Sequence, residues 1–250
     1  MNKNTAKPTL AIIGFGDFAR LMIKHLRPYF DIVVASRQDI TDKQGLVFEQ
    51  VDTPTALSQP TIIPSMPAQF LEEFFTQNRQ HLNAQSLVVD VCSVKVKPVE
   101  ILSRVLPESI QILATHPMFG PTSAKDGLKG QRIMVHPMRL PKERYNKIKQ
   151  FLAGELGLKV IEATPEEHDR MMAYALGLSH YIGRAMQEMN IPTSEITTRA
   201  YNDLLDMKRI QGGDSLELFE SIMFENPFAI DVNSQFKQAL KELDRRLGIK

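Results

Sequence analysis

Residues 9–19 of the chain read TLAIIGFGDFA, and this stretch decides the fold. The apolar run Thr9–Ile13 is typical of a buried parallel strand. The next six residues fit the pattern G-x-G-x-x-[G/A]. In it Gly14 permits a tight turn, Gly16 lets the backbone approach a pyrophosphate, and Ala19 permits close helix–strand packing. Free N–H groups at the start of the following helix would face the phosphates. The stretch predicts a dinucleotide-binding turn; the alternative is an ordinary strand–helix turn without a ligand.

The residues beyond this turn predict alternating helices and strands. From Asp17 onward apolar residues recur with helical spacing, and Asp31–Ala35 is a second strand-like apolar run. Further predicted strands are Leu46–Phe48, Thr61–Ile63, Leu87–Val91, Ile110–Thr115, Arg132–Val135 and Lys159–Glu162, and predicted helices are Ala68–Phe75, Pro98–Leu106 and Lys142–Leu156. Such alternation predicts an α/β fold with a Rossmann-like, doubly wound parallel sheet that helices cover on both faces.

The character of the sequence changes after Thr164. Residues 164–167, TPEE, fit a helix start with threonine as the cap, proline at the first position and glutamate at the third. Helical spacing then continues, and the last helix carries an apolar stripe of Phe236, Leu240, Leu243 and Leu247. We therefore expect an NAD(P)-binding domain over 1–164 and a smaller, all-helical substrate and dimerisation domain over 165–250.

Composition and charge narrow the class of protein. The formal net charge is +1, so the chain lacks the basic field of a nucleic-acid-binding protein. A single cysteine, Cys92, excludes an internal disulfide and a zinc-type cysteine cluster, and a reducing cytoplasm is the compartment we expect. The polar start Met1–Pro8 lacks the apolar core of a signal peptide, and no apolar run approaches the ~20 residues of a membrane helix.

The end of the second predicted strand indicates which nucleotide is bound. NAD enzymes usually carry an acidic residue there, which holds the ribose hydroxyls. This chain has Ser36 followed by Arg37, and a guanidinium can pair with the 2′-phosphate of NADP. NADP is therefore favoured; Asp39 keeps NAD open, and Arg37 has the alternative role of a solvated loop charge. The predicted cofactor residues are Gly14, Phe15, Gly16, Asp17, Phe18, Ala19, Ser36, Arg37 and Ser65.

Two further segments carry side chains suited to catalysis, and each follows a predicted strand. Residues 90–95 read DVCSVK, and residues 115–121 read THPMFGP. Ligands of a doubly wound sheet bind beyond the carboxyl ends of its strands, so Ser93, Lys95 and His116 are expected near the glycine turn. The helical part opens with EEHDR at 166–170 and continues to LSH at 178–180.

Together these motifs resemble the prephenate/arogenate dehydrogenase family. The resemblance runs from about Thr9 to the C-terminus and includes Arg209-Ile210 ahead of Gly213-Asp214-Ser215. The Ser36-Arg37 pair, the HPMFGP block and the GDS element look most like the NADP-using arogenate branch of plants. The resemblance implies an oxidative decarboxylation, in which a cyclohexadienol gives a hydride to the nicotinamide, loses its ring carboxylate as carbon dioxide and becomes aromatic.

The resemblance also implies roles for three residues of the first domain. His116 matches the catalytic histidine, and an imidazole suits a base that accepts the ring hydroxyl proton near neutral pH. Ser93 matches a serine that hydrogen-bonds that histidine or the substrate hydroxyl; its alternative role is to cap the next helix. Lys95 matches a lysine that could pair with a substrate carboxylate; its alternative is a solvated surface lysine.

In the helical part, the resemblance marks further residues. Arg209 lies where many members carry the arginine that grips a substrate carboxylate, and its alternative role is a helix-surface salt bridge. His180 is expected to line the substrate pocket or to serve helix packing. A histidine that some members carry three residues later is Gly183 here. Asp214 could meet a substrate ammonium or cap a helix, and His168 with Asp169 could contact substrate or begin a helix.

The expected assembly is a homodimer formed by the C-terminal helices, which are too thin to bury their own apolar stripes. We expect neither a fused chorismate mutase nor a C-terminal regulatory domain, which some members of the family carry. We expect no metal site, because the histidines lack a tight i, i+4 pair with a carboxylate. Two rival functions are an imine reductase resembling pyrroline-carboxylate reductase and a non-catalytic NADP-binding sensor.

Overall fold

The structure is a computed structural model that describes residues 6–212 and 214–249. Two compact units meet in sequence between Pro165 and Glu166. The strands of the first unit are β1 (Thr9–Ile13), β2 (Asp31–Ala35), β3 (Glu49–Gln50), β4 (Thr61–Pro64), β5 (Leu87–Asp90), β6 (Gln111–Pro117), β7 (Arg132–Arg139) and β8 (Lys159–Glu162). Its helices are α1 (Asp17–Leu26), α2 (Thr53–Leu57), α3 (Leu71–Asn78), α4 (Val96–Val105) and α5 (Lys142–Gln150).

The eight strands form one sheet in the order β3-β2-β1-β4-β5-β6-β7-β8. The strands from β3 to β6 are parallel, but β7 runs antiparallel to β6, with His116 opposite Met134. β8 is parallel to β7. The predicted parallel sheet is therefore confirmed from β3 to β6, and the β6–β7 pair is an antiparallel exception at this edge. The physical reason for the exception is the connection at 118–131, which holds turns rather than the crossover helix that usually joins parallel strands.

The prediction of a strand at Leu46–Phe48 is wrong, because the pairing with β2 involves Glu49–Gln50 instead. Phe48 is buried, and its ring packs 5.2 Å from the ring of Phe15. Phe48 therefore fills the core beneath the sheet edge, although the run that contains it does not join the sheet. Burial drives apolar runs of either kind, so periodicity alone does not distinguish them.

Helices cover the two faces of the sheet unequally. One face packs against α2, α3 and α4, which bury Leu57, Phe75 and Leu102 among other apolar residues. The other face is covered by α1, through Ala19, Met22 and Ile23, and by α5, through Tyr145. Alternate residues of each central strand point to opposite faces, which explains why these strands read as continuous apolar runs.

All regular elements of the second unit are helices within the described residues. Its helices are α6 (Pro165–Met172), α7 (Ser179–Glu188), α8 (Arg199–Gly212), α9 (Leu216–Phe224) and α10 (Ala229–Leu247), with a π-helical segment at Ala173–Leu178. The first begins at the proline that the sequence predicts as its first residue. None of the helices within the described ranges is long and apolar enough to cross a bilayer.

Candidate active site

The glycine turn joins the carboxyl ends of three strands. Gly14 has φ +102°, and a Cβ atom there would lie 2.5 Å from the Ser65 carbonyl oxygen at the end of β4. The Gly14 N–H donates to the Ala35 carbonyl (2.8 Å), and the Ser65 N–H donates to the Ile13 carbonyl (2.8 Å). Only glycine permits both this backbone conformation and this close approach. The turn thereby brings Gly14, the end of β2 and Ser65 to one edge of the sheet.

The amino end of α1 is open, as a phosphate site requires. Gly16 is the N-cap residue and supplies no side-chain hydrogen bond to the helix. A Cβ atom at Gly16 would meet nothing within 4 Å, so space remains above the first N–H groups of α1. Uncapped N–H groups and the positive end of the helix suit a pyrophosphate. The turn therefore fits the dinucleotide that the sequence predicts there.

The other side chains of the turn have separate placements. The Phe15 ring lies 4.6 Å from the Arg20 guanidinium, and the Phe18 ring packs 6.3 Å from the Phe119 ring. Ala19 is fully buried against the sheet, as close helix–strand packing needs. Asp17 is exposed in the first turn of α1. Cofactor contact through this segment is thus expected mainly from the backbone.

Ser36 and Arg37 follow directly after β2. Ser36 Oγ accepts a hydrogen bond from the Gln38 N–H (3.4 Å), and Arg37 is exposed to solvent. The loop is fixed by Gln50, whose side chain accepts from the Ile40 N–H (2.9 Å) and donates to the Gln38 carbonyl (3.2 Å). The exposed Arg37 side chain therefore lies just after β2, and Gln50 holds the backbone of the following residues, Gln38 and Ile40.

A buried polar cluster connects the carboxyl ends of β5 and β6. Lys95 is fully buried and forms an ion pair with Asp90, which is also fully buried. The Lys95 ammonium donates to the Thr115 carbonyl as well, and Thr115 Oγ1 donates to the Asp90 carbonyl (2.6 Å). The Cys92 N–H donates to Asp90 Oδ1 (2.9 Å). The alternative of a solvated Lys95 is wrong, because a buried ammonium needs such partners.

His116 lies beside this cluster, one residue after Thr115. It belongs to β6 itself, which extends to Pro117, and it is buried. Ser93 is half-buried in the segment between β5 and α4. The N-cap position of α4 belongs to Lys95, so Ser93 does not have the capping role considered for it. The structure therefore gathers Ser93 and His116 at the same sheet edge as Gly14, Ser36 and Ser65.

In the helical unit, His180 and Asp214 form a pair. His180 is buried, with Nε2 2.8 Å from Asp214 Oδ2 and Nδ1 2.9 Å from the Leu176 carbonyl. Asp214 is not a helix cap, because Ser215 occupies the N-cap of α9 and its Oγ accepts from the Leu218 N–H (3.2 Å). Gly213, which the GDS element also includes, lies outside the described residues.

Arg184 is a residue that sequence reasoning missed. Its guanidinium donates to the carbonyls of Asp214 (2.7 Å) and Ser215 (3.0 Å) and lies 4.7 Å from the Phe219 ring centroid. It thereby holds the segment that carries Asp214 against α7. The signal was its spacing, since Arg184 follows His180 by four residues and so shares its helix face.

Arg209 lies on α8, and Gly183 lies on α7 where the two helices pack together. Arg209 is exposed on α8 and pairs with the exposed Asp206 (3.3 Å), which is the surface salt bridge considered as its alternative role. A Cβ atom at Gly183 would lie 2.7 Å from Gln211 Cβ, so α8 occupies the space that a histidine at this position would need.

His168 and Asp169 are both buried at the start of the helical unit. Nδ1 of His168 lies 2.7 Å from Asp169 Oδ1, and Asn226 Nδ2 donates to the Asp169 carbonyl (2.9 Å). Among the described residues, no group of three histidine, cysteine or acidic side chains is arranged to hold a metal ion.

Comparison with known proteins assigns the chain to a family. A family model described as "Prephenate dehydrogenase, nucleotide-binding domain" matches residues 31–162, and one described as "TYRAAT1-like, C-terminal domain" matches residues 185–250. Arogenate dehydrogenase 2, chloroplastic, of Arabidopsis thaliana is 31% identical over 253 residues, covering 95% of this chain and 70% of the relative.

Two solved structures share the fold. Prephenate dehydrogenase from A. aeolicus, in complex with hydroxyphenyl propionate and NAD+, has a TM-score of 0.74 at 21% identity and covers 98% of this chain and 92% of that one. Synechocystis arogenate dehydrogenase has a TM-score of 0.70 at 19% identity, covering 96% and 92%. The nucleotide-binding model and the plant relative show that this chain belongs to the prephenate/arogenate dehydrogenase family, the NAD(P)-dependent oxidoreductases of tyrosine biosynthesis.

Proposed function

We propose that the chain oxidatively decarboxylates arogenate with NADP, and that prephenate is its second candidate substrate. The observation that carries the cofactor choice is the exposed Arg37 cation directly after β2, where Ser36 replaces the usual carboxylate. The choice of arogenate is supported by the plant arogenate dehydrogenase, which is 31% identical.

NADP would lie along the sheet edge formed by the ends of β1, β2 and β4. Gly14, Gly16 and the first N–H groups of α1 would bind the pyrophosphate, with Ser65 facing the turn from β4. Ser36 and Arg37 would bind the 2′-phosphate, because a guanidinium forms bidentate, charge-assisted hydrogen bonds to phosphate. When bound, the nicotinamide supplies the hydride acceptor.

His116 would act as the base. As the hydride leaves the hydroxyl-bearing ring carbon, the imidazole accepts the hydroxyl proton and a carbonyl forms. Loss of the ring carboxylate as carbon dioxide gives a phenolate, to which the same imidazole returns the proton. The step balances, because the substrate loses one hydride and one carbon dioxide and keeps its proton. Ser93 would hydrogen-bond His116 or the substrate hydroxyl.

Lys95 has a different proposed role from the one the family resemblance suggested. Its ammonium group is buried in the cluster with Asp90 and Thr115, so we propose that it positions the ends of β5 and β6 rather than binding a substrate carboxylate. His116 follows Thr115 directly in β6, so the cluster would hold the backbone of the base in a fixed position at the end of the strand.

Arg209 remains the proposed clamp for a substrate carboxylate. Its surface pair with Asp206 contributes about 0–1 kcal/mol, so a substrate carboxylate can replace it at small cost. His180 would line the pocket, with its ring orientation fixed by Asp214 and the Leu176 carbonyl.

The helical unit has a surface suited to a second copy of the chain. Several apolar side chains are at least two-fifths exposed, among them Phe224 at 70%, Leu243 at 52% and Leu247 at 71%. Apolar stripes of this kind mark association surfaces when they are contiguous. We propose a homodimer formed through α9 and α10.

The direct test is formation of reduced cofactor by the purified chain with arogenate or prephenate, measured as NADPH with NADP and as NADH with NAD. We expect the highest kcat/KM with arogenate and NADP. Turnover restricted to prephenate would replace the proposed substrate. A preference for NAD would contradict the role of Arg37. Absence of turnover with both substrates, despite cofactor binding, would overturn the proposed function.

A further inference from the structure

One face of the sheet has an uncovered region between α1 and α5. The clearest sign is Val89 in β5, a central strand of an eight-stranded sheet. Val88, which points to the opposite face, is fully buried, whereas Val89 is only half-buried. Central strands of such sheets normally bury both faces. The helix layer over Val89 is therefore incomplete.

A cavity of about 230 Å³ occupies this region. The sheet provides its floor through Ile63, Val89 and Leu113, and Leu21 of α1 and Leu152, just beyond α5, form opposite walls. The lining is almost wholly apolar. An apolar cavity of 150 Å³ in another protein stays dry and binds benzene, so this space is large enough for a bicyclic molecule.

Aromatic pairs border the cavity at its two ends. Near the carboxyl edge of the sheet, the Phe18 ring packs 6.3 Å from the Phe119 ring. Near the opposite edge, the Phe30 ring packs edge-on 5.7 Å from the Phe151 ring. Phe151 begins a π-helical segment, Phe151–Glu155, that extends α5. Such segments are rare and occur frequently at functional sites.

Two polar side chains of the cavity wall make hydrogen bonds within the first unit. Thr115 Oγ1 donates to the Asp90 carbonyl (2.6 Å), and Arg144 Nη1 donates to Gln111 Oε1 (2.8 Å). Because the rest of the lining is almost wholly apolar, a charged or strongly polar ligand would lose much of its hydration there. A neutral apolar ligand loses nothing of this kind and gains dispersion contacts with the walls.

We propose that this cavity is a binding site for a small, neutral, aromatic or aliphatic molecule of about the size of indole, which would lie on the sheet between Phe18 and Pro117 at the carboxyl edge and Phe30 at the opposite edge. The proposal does not depend on the proposed function, because it rests only on the packing of α1, α5 and the sheet. The ligand would complete the apolar layer over Val89.

The test is calorimetric titration of the purified chain with indole, in the presence of saturating NADP so that the adenine site is blocked. We expect a single saturable site with a dissociation constant on the order of 10⁻⁴–10⁻³ M, as suits nine non-hydrogen atoms. Val89→Phe, which fills the floor, and Leu152→Phe, which fills one wall, should each weaken binding at least about tenfold. Testing the floor and one wall separately keeps the proposal falsifiable if one variant does not fold.

Val47→Phe is the matched control, because Val47 is 54% exposed and does not line the cavity. It should bind indole as the parent chain does. Absence of saturable binding to the parent chain would overturn the proposal. Unchanged affinity in a folded filling variant would also overturn it, because the indole would then lie elsewhere.

Discussion

Two glycines of the same turn differ in what they contribute, and the difference can be measured. Gly14→Ala would force a side chain into φ +102° and 2.5 Å from the Ser65 carbonyl. We expect a loss of about 1–3 kcal/mol in the free energy of unfolding, together with weaker cofactor binding. Gly16→Ala meets no neighbour within 4 Å, so it should keep its stability and lose cofactor affinity alone.

Denaturant unfolding and cofactor titration on both variants check this prediction. A Gly14→Ala protein as stable as its parent would contradict the steric argument. Unchanged cofactor affinity in Gly16→Ala would contradict the placement of the pyrophosphate above α1.

Arg37 is predicted to select NADP. Arg37→Ala removes a charge-assisted hydrogen-bonding partner worth about 1.5–3 kcal/mol, so the KM for NADP should rise about 10- to 150-fold. The KM for NAD should change little, because NAD lacks the 2′-phosphate. Steady-state kinetics with both cofactors measures this, and Asp39→Asn is the control for charge in the same loop. Equal losses with NADP and NAD would refute the selector role.

Some properties of single residues could not be predicted from the sequence. The motif DVCSVK gave the position of Lys95 but not its burial, which depends on Asp90 and Thr115 meeting it across two strands. Arg184 lies in no motif; its spacing from His180 indicates a shared helix face but not its hydrogen bond to the Asp214 carbonyl. Pairing between residues so distant in sequence leaves no periodic signal of its own.

At the scale of elements, most strands that were predicted from apolar runs were found where expected, with Leu46–Phe48 as the exception. β8 was predicted at its observed bounds, and β1, β2, β4 and β5 to within one residue. The direction of β7 was not predicted, because an apolar run reports burial and not orientation. The connection at 118–131 contains glycines and a proline but no helical spacing, and this could have indicated an antiparallel return.

Close packing of α7 on α8 is predicted to depend on Gly183. In Gly183→Ala the new Cβ atom would lie 2.7 Å from Gln211 Cβ, so the helices must separate. Overpacking of this kind costs about 1–3 kcal/mol. Thermal unfolding should show a lower midpoint, whereas Gly154→Ala, whose Cβ would meet nothing within 4 Å, should not lower it. An unchanged midpoint in Gly183→Ala would rule out tight packing at this crossing.

At the scale of the whole molecule, the helical unit is predicted to need a partner. We expect the chain to be a dimer at micromolar concentration in light scattering. Leu243→Lys should shift it to a monomer, because a charge in an apolar interface is left unpaired. Gln238→Lys, at an exposed polar position of the same helix, is the matched control and should stay dimeric. A parent chain that is monomeric under these conditions would contradict the proposed dimer.

The family could be predicted from the order of the motifs, and the fold class from the alternation of strands and helices. Family membership speaks against the imine reductase and the passive NADP sensor that the nucleotide turn alone left open. The turn is common to all three classes of protein, and His116 in its THPMFGP block separates the dehydrogenase from the others.

The measurement that tests the central claim most directly is turnover by His116→Asn, compared with its NADP affinity. Asparagine preserves polarity and approximate size but cannot accept the proton. We predict a fall in kcat of roughly 10²–10⁴-fold with an unchanged dissociation constant for NADP. Unchanged turnover would contradict the assignment of His116 as the base.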